Sequence, residues 1–362
     1  MLVHICCSVD SHFFLQRLQK SYPDEALIGF FYDPNIHPFS EYKLRLLDVK
    51  RSCDKLGIAL HVGDYNYEGW LEAVRGLENE PEKGKRCSVC FDNRLEETAQ
   101  KALEIGEKTI TTTLLTSPKK SLEQLEKALR VIAQKYELEI VTPDFRKGGG
   151  TQEQFTQAKE AMLYHQNYCG CLFALGVQRE QQQKWADELS SPLRPQILPA
   201  SIEERIVLYE KVIELEANET PFKLVREKFL NYRLLRAWVK NSDKKIIPSY
   251  VLFYSTCKKE FTKTNVEFVA QGVGFLAKEE AHFISLKTFN TLANTDYQTL
   301  KEMLQNPPTV EIEIAFRNTY LKSIVASLTP LVVLDEVKMD SYELFIQSKT
   351  YQDIRENLVL IG

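Results

Sequence analysis

The chain has 362 residues, 10% of them aromatic, and a formal net charge of −4. At roughly 100–200 residues per domain, that length predicts two domains with ample material for a core, and it excludes low-complexity disorder. Residues 1–190 carry 24 basic and 28 acidic side chains, and 191–362 carry 22 of each. Neither half is therefore a basic nucleic-acid-binding block, and any contact with RNA must use local patches. No run of ~18 apolar residues is present, and the first residues lack the basic and apolar regions of a secretion signal. The expectation is a cytoplasmic protein with no membrane partner.

In chain order, short apolar runs alternate with amphipathic stretches. Strands are predicted at 2–5, 26–31, 58–62, 108–113 and 139–141. Helices are predicted at 11–20, 40–56 (with Ser40 as N-cap), 91–105 (ended by Gly106), 121–136 and 152–163. Such alternation implies an α/β fold with a doubly wound, mostly parallel sheet, whose ligands sit at the carboxyl ends of the strands. Three prolines between 192 and 199 mark 188–200 as a linker. Beyond it, helices are predicted at 201–217 and 221–230, and strands at 246–254, 266–272, 309–316, 331–337 and 342–347. The expected organisation is a catalytic domain over 1–187, a linker over 188–200, and a strand-rich α+β accessory domain over 201–362.

Six of the eight cysteines fall in three tight groups: Cys6-Cys7, Cys87-x-x-Cys90 and Cys169-Gly-Cys171. In a reducing compartment, grouped cysteines point to metal or redox chemistry before structural disulfides. Cys6-Cys7 lies at the turn from the first strand into the first helix, where two neighbours can face one centre and a helix N-terminus favours thiolates. Cys87-x-x-Cys90 is expected in a loop before a helix, a spacing that grips one metal ion or cluster. Cys169-Gly-Cys171 can ligate metal or close a strained, easily reduced disulfide. Four thiolates suffice for an iron–sulfur cluster or a tetrahedral zinc. A structural zinc explains four cysteines and leaves the third pair without a role. Cys53 and Cys257 stand alone and read as structural.

The segment Cys6-Cys7-Ser8-Val9-Asp10-Ser11 also lies where ATP-pyrophosphatases carry a glycine-rich phosphate loop, with Cys7 and Ser8 in place of both glycines. Asp10 is either a helix-cap residue or a hard oxygen ligand beside the thiolates. Lys83, Lys85, Arg86, Lys119, Lys120, Arg146 and Lys147 form loop patches that read either as solvated faces or as polyanion contacts.

Together, His4-Ile-Cys-Cys-Ser8, Phe31-Tyr-Asp-Pro-Asn-Ile-His-Pro-Phe-Ser-Glu-Tyr42, Gly76-Leu-Glu-Asn-Glu-Pro-Glu82, Arg86-Cys-Ser-Val-Cys-Phe91, Thr111-Thr-Thr-Leu-Leu-Thr-Ser-Pro118 and Tyr168-Cys-Gly-Cys171 resemble the QueH-type epoxyqueuosine reductase family over the first ~180 residues. Many members of that family carry a third cysteine where this chain has Asp10. The resemblance implies a fold related to adenine-nucleotide α-hydrolases and a [4Fe–4S] cluster held by Cys6, Cys7, Cys87 and Cys90. It implies that Cys169 and Cys171 are the redox-active pair, or ligands with Asp10 of an additional mononuclear iron. The implied reaction is cobalamin-independent reduction of epoxyqueuosine at the wobble position of tRNA, drawing on an external electron donor. Tyr32, His37 and Tyr168 are candidate proton donors; Tyr32, Phe39 and Trp70 are candidate stacking partners for the base. The alternatives are an ATP-dependent tRNA-thiolation enzyme of related fold and a zinc-stabilised RNA-binding module. The second domain carries no resemblance and is expected to position tRNA or support oligomerisation.

Overall fold

The computed structural model describes residues 1–190, 193–276, 281–322 and 327–361. Ser191 and Pro192 of the expected linker lie outside the described residues. The chain forms two compact units. The first comprises 1–182, 205–225 and 356–362; the second comprises 183–204 and 226–355.

The first unit begins with β1 (Leu2–Ile5), α1 (Ser8–Ser21), β2 (Ile28–Phe31), α2 (Phe39–Leu56) and β3 (Ala59–Val62). It continues with α3 (Tyr67–Ala73), α4 (Lys85–Ile105), β4 (Thr109–Thr112), α5 (Leu122–Tyr136), β5 (Glu139–Ile140), α6 (Gly150–Glu160) and α7 (Leu172–Gln181). The strands form one sheet in the order β3-β2-β1-β4-β5, every pair parallel. The expected α/β class is therefore present. β1 is buried throughout, as a central parallel strand covered on both faces must be. α1 packs against α2 and α6, while α4 packs against α5 and β1. Phe14, Leu15, Leu95, Ala99, Leu125 and Leu129 fill the resulting layers. Strand order reverses between β1 and β4, so the open crevice of such a sheet lies where Cys6-Cys7 leaves β1 and a 3-10 turn over Thr113–Thr116 leaves β4.

α8 (Ile202–Ala217) belongs to the first unit from residue 205 onward. Its Tyr209 meets the Tyr164 ring edge-on at 5.6 Å, and its Glu216 accepts from Arg51 Nη2 at 2.8 Å. The first compact unit thus includes a helix distant in sequence from its sheet, which carries apolar and charged partners for it.

The second unit is built on an eight-stranded sheet. Its strands are β6 (Phe222–Lys240, of which 222–225 belong to the first unit), β7 (Ile246–Ile247), β8 (Tyr250–Val251), β9 (Phe261–Ala270), β10 (Val273–Leu276) and β11 (His282–Ser285). α9 (Leu286–Ala293), α10 (Leu300–Gln305) and α11 (Val310–Leu321) follow, then β12 (Leu331–Leu334) and β13 (Ser341–Leu360). The strand order is β7-β6-β13-β9-β10-β11-β12-β8, and β11 with β12 is a parallel pair among antiparallel ones. The helix expected at 221–230 is instead the start of β6, and the strand expected at 309–316 is α11. Among the described residues, no helix is long and apolar enough to cross a membrane.

Candidate functional site: a thiol-rich crevice

Cys6 follows β1 directly, and Cys7 is the N-cap of α1 with an extended backbone. Leaving the strand at this point lets both thiols face one side, with their Sγ atoms 3.8 Å apart. Asp10 stands in the first turn of α1, its Oδ2 3.8 Å from Cys6 Sγ. Cys6, Cys7 and Asp10 offer ligand atoms all within 4.8 Å of one another, the one such group among the described residues. Gln154 Nε2 donates to Asp10 Oδ1 at 2.6 Å. Burial pushes the Asp10 carboxyl up, and the thiol and amide donors oppose that shift. The hydrogen bond with Cys6 and then burial push the Cys7 thiol well up. Thr113, from the turn after β4, stands 3.7 Å from Cys6 Sγ through its Oγ1.

Cys87 and Cys90 are not in a loop: α4 begins at Lys85, so both lie in its first turns. Their spacing puts them on one stripe of the helix with Arg94. Arg94 donates through Nη1 to Asp33 Oδ1 at 2.8 Å and through Nε to the Cys90 carbonyl at 3.2 Å, all of it buried. Burial pushes Asp33 up to about 6, and the guanidinium of Arg94 opposes it. Burial also raises the Cys90 thiol, with Arg94 again opposing. The Arg94 charge interacts with both Cys90 and Cys6, which links the two cysteine groups electrostatically.

The third group is fixed by hydrogen bonds from α2 and from the loop before it. Arg45 donates to the Tyr168 carbonyl at 2.9 Å and to the Cys169 carbonyl at 3.3 Å. His37 N donates to the Gly170 carbonyl at 2.9 Å, and Tyr168 Oη donates to the His37 carbonyl at 2.7 Å. Cys171 N donates to Cys169 Sγ at 3.4 Å. A hydrogen bond from the Cys171 thiol holds Cys169 well below the usual thiol range, against burial and with help from Lys120 and Arg45. Cys171 is pushed up in turn by the same bond. The one hydrogen bond thus shifts the two thiols in opposite directions, Cys169 down and Cys171 up. None of the six grouped cysteines is in a disulfide in this structure.

Cys87, Cys169 and Cys171 line one cavity with Lys83, Lys119 and Lys120. Cys90 and Cys171 share a small apolar cluster with Trp70 and Phe173. Lys120 interacts with Cys169, Cys87 and Cys90. The structure therefore places Asp10 with Cys6 and Cys7, and places Cys169 and Cys171 with Cys87 and Cys90. The seven expected site residues form two adjoining groups around Arg94 and Lys120.

The other expectations divide. Arg86 is buried and donates to the Leu77, Glu78 and Glu80 carbonyls at 2.6–3.0 Å. Arg146 donates to the Leu114, Leu115 and Lys120 carbonyls. Both guanidinium groups are engaged by main-chain carbonyls, and Arg86 also lines the cavity with Cys87, Cys169 and Cys171. Trp70 and Tyr32 are buried, so of the three stacking candidates Phe39, 48% exposed, is the one open to solvent. Ser8 donates to buried Asp48, and Cys7 is buried, so the turn after β1 presents no open phosphate cradle. Cys53 is core. Sequence reasoning missed Arg94, Arg45, Gln154 and Thr113. Arg94 had a signal, its place seven residues after Cys87 on the same helix face; Gln154 had none.

The family model for "Epoxyqueuosine reductase QueH" matches residues 1–176. A Helicobacter pylori protein of that name is 43% identical over 351 residues, covering 93% of this chain and 94% of that protein. A Thermotoga maritima protein of the same name is 37% identical over 183 residues, which is 50% of this chain and 92% of that one. One from Histophilus somni is 37% identical over 177 residues, 48% of this chain and 72% of that one. Among solved structures, the Methanococcus maripaludis U34-tRNA thiolase NcsA with its [4Fe-4S] cluster aligns at a TM-score of 0.33 and 15% identity, over 59% of this chain and 73% of that one.

Proposed function

The chain belongs to the epoxyqueuosine reductase QueH family, and on that premise we propose that its thiol-rich crevice is where epoxyqueuosine in tRNA is reduced to queuosine. The enzyme is an oxidoreductase. Removing the epoxide oxygen as water takes two electrons and two protons and leaves a carbon–carbon double bond.

The donor set fits an iron–sulfur group. Soft thiolates select such clusters over hard cations; Cys6 and Cys7 leave the end of β1, Cys87 and Cys90 lie in the first turns of α4, and Arg94 interacts with Cys6 and Cys90 while Lys120 interacts with Cys87 and Cys90. These four residues would hold a [4Fe–4S] cluster. The iron, when bound, supplies single-electron transfer and Lewis-acid polarisation of the epoxide oxygen.

The chain's own groups do the rest. A Cys169–Cys171 dithiol yields two electrons and two protons on closing to a disulfide, which balances one epoxide removed; the electron donor then reopens it. The hydrogen bond from Cys171 lowers the Cys169 thiol, Arg45 holds the Cys169 carbonyl, and His37 N holds the Gly170 carbonyl. Lys120 faces the same cavity and stabilises negative charge there. The base must leave the stack to reach a buried crevice, which an anticodon loop permits at its wobble position.

The observation that carries this reading is that all three cysteine pairs lie around two buried cations, Arg94 interacting with Cys6 and Cys90 and Lys120 with Cys87, Cys90 and Cys169. The test is reduction of epoxyqueuosine tRNA by the chain and by Cys169→Ser and Cys171→Ser variants of unchanged iron content. The expected result is loss of at least a hundredfold in rate for each. Full activity in both would contradict the dithiol role.

A further inference from the structure

In the second unit, β6, β13 and β9 are neighbours in the sheet. One face of these strands is core: Val239, Leu344 and Ile346 are fully buried. The alternate residues carry a row of aromatic rings on the other face. Phe345 of β13 and Phe261 of β9 are directly opposite across the strand pair. Trp238 of β6 lies parallel to Phe345, with ring centres 5.5 Å apart and planes 7° apart, and 6.0 Å from Phe261. Phe261 is 48% exposed.

Two cations sit over these rings. The Arg236 guanidinium is 5.7 Å from the Phe345 ring centre, and the Lys240 ammonium is 4.7 Å from the Trp238 ring centre. Neither is engaged in an ion pair among the described residues. Lys263 also lies on this face but opposite Glu343, so that pair adds no net charge.

A row of rings across three strands is more than the scattered exposed apolar residues of any surface. A protein partner would bury these rings against apolar groups and leave two desolvated charges above them. Unpaired nucleotides suit both features at once: every base has a π-face to stack on a ring, and the phosphates meet the cations. The chain's net charge of −4 requires that RNA affinity come from local patches of this kind.

We propose that the outer face of the β6–β13–β9 segment is a second RNA-contact surface, on which unpaired nucleotides of the tRNA substrate stack on Trp238, Phe345 and Phe261 while Arg236 and Lys240 take phosphates. This rests on the reading that the chain acts on tRNA. The face holds RNA and does no chemistry.

The test uses the full-length chain, substrate tRNA, and a fluorescein-labelled 12-nucleotide oligouridine, with binding followed by anisotropy. The Trp238→Ala/Phe345→Ala pair should weaken binding of both RNAs roughly tenfold or more, since each stacked base contributes that order of affinity. Trp238→Phe, which keeps a ring, should restore most of it. Arg236→Glu/Lys240→Glu, at solvent-facing positions where folding is not at stake, should weaken binding and lower the salt dependence by about two phosphate contacts. Wild-type binding with unchanged affinity in both pair variants overturns the proposal. So does intact RNA affinity combined with loss of a dimer in sedimentation, which would make the face a protein interface. A wild-type chain that binds no tRNA overturns the underlying functional reading as well.

Discussion

At Gly170 the backbone takes φ +98°, a region that a side chain strongly disfavours, and an added Cβ would stand 2.9 Å from Ile36 Cγ1 and 3.2 Å from Ile36 Cα. The residue between the two cysteines is therefore fixed as glycine by conformation and by space together. Gly170→Ala should destabilise the chain by about 1–3 kcal/mol, the usual cost of a strained backbone position. It should also cut the reduction rate, because the Cys169 carbonyl and Sγ move with it. Thermal denaturation and a rate assay on the same sample check this; an unchanged melting temperature would show that the loop yields freely. The tight cysteine spacings were legible because their chemistry is local. The charges around them were not, apart from Arg94. Arg45 approaches Cys169 across 124 positions, and no local pattern in a sequence reports such a contact.

Elements of the first unit follow their sequence signals closely. β1 spans 2–5 as expected, and α5 begins after Ser121, whose hydroxyl accepts from Gln124 N at 3.3 Å. The expected Ser40 cap is displaced, since α2 starts at Phe39 with Pro38 before it. α3 and α7 are short and went unpredicted. The two reversals in the second unit have physical causes. Val310, Ile312 and Ile314 alternate with Glu311 and Glu313, a strand pattern. Yet Val310, Glu313, Phe316 and Arg317 are the residues buried, at helical spacing. Glu313 is decisive there: its carboxylate accepts from Phe253 N at 2.5 Å and Tyr250 Oη at 2.7 Å. The 221–230 stretch has the charged residues of a helix surface, but it is drawn into β6 by pairing within the sheet. α8 gives a test at this scale. If 1–187 is proposed as a self-standing catalytic domain, the fragment must lose the Arg51–Glu216 pair and the Tyr164–Tyr209 contact. Its melting temperature should fall by several degrees relative to the full chain, and an equal melting temperature would show that α8 contributes nothing to the first unit.

Across the whole molecule, the thiol crevice lies in the part matched by the family model, and the Helicobacter pylori relative matches 93% of the chain. The proposed chemistry lies in the first unit and the proposed RNA-contact face in the second, so substrate binding and reduction can be tested apart. The central claim is that the grouped cysteines hold an iron–sulfur cluster. Its most direct test is the iron and acid-labile sulfide content of anaerobically purified chain, measured with and without Cys87→Ser/Cys90→Ser. The account predicts about four irons or more with matching sulfide and broad absorbance near ~400 nm, all lost in the double variant. Zinc without sulfide in a folded, active chain would contradict it.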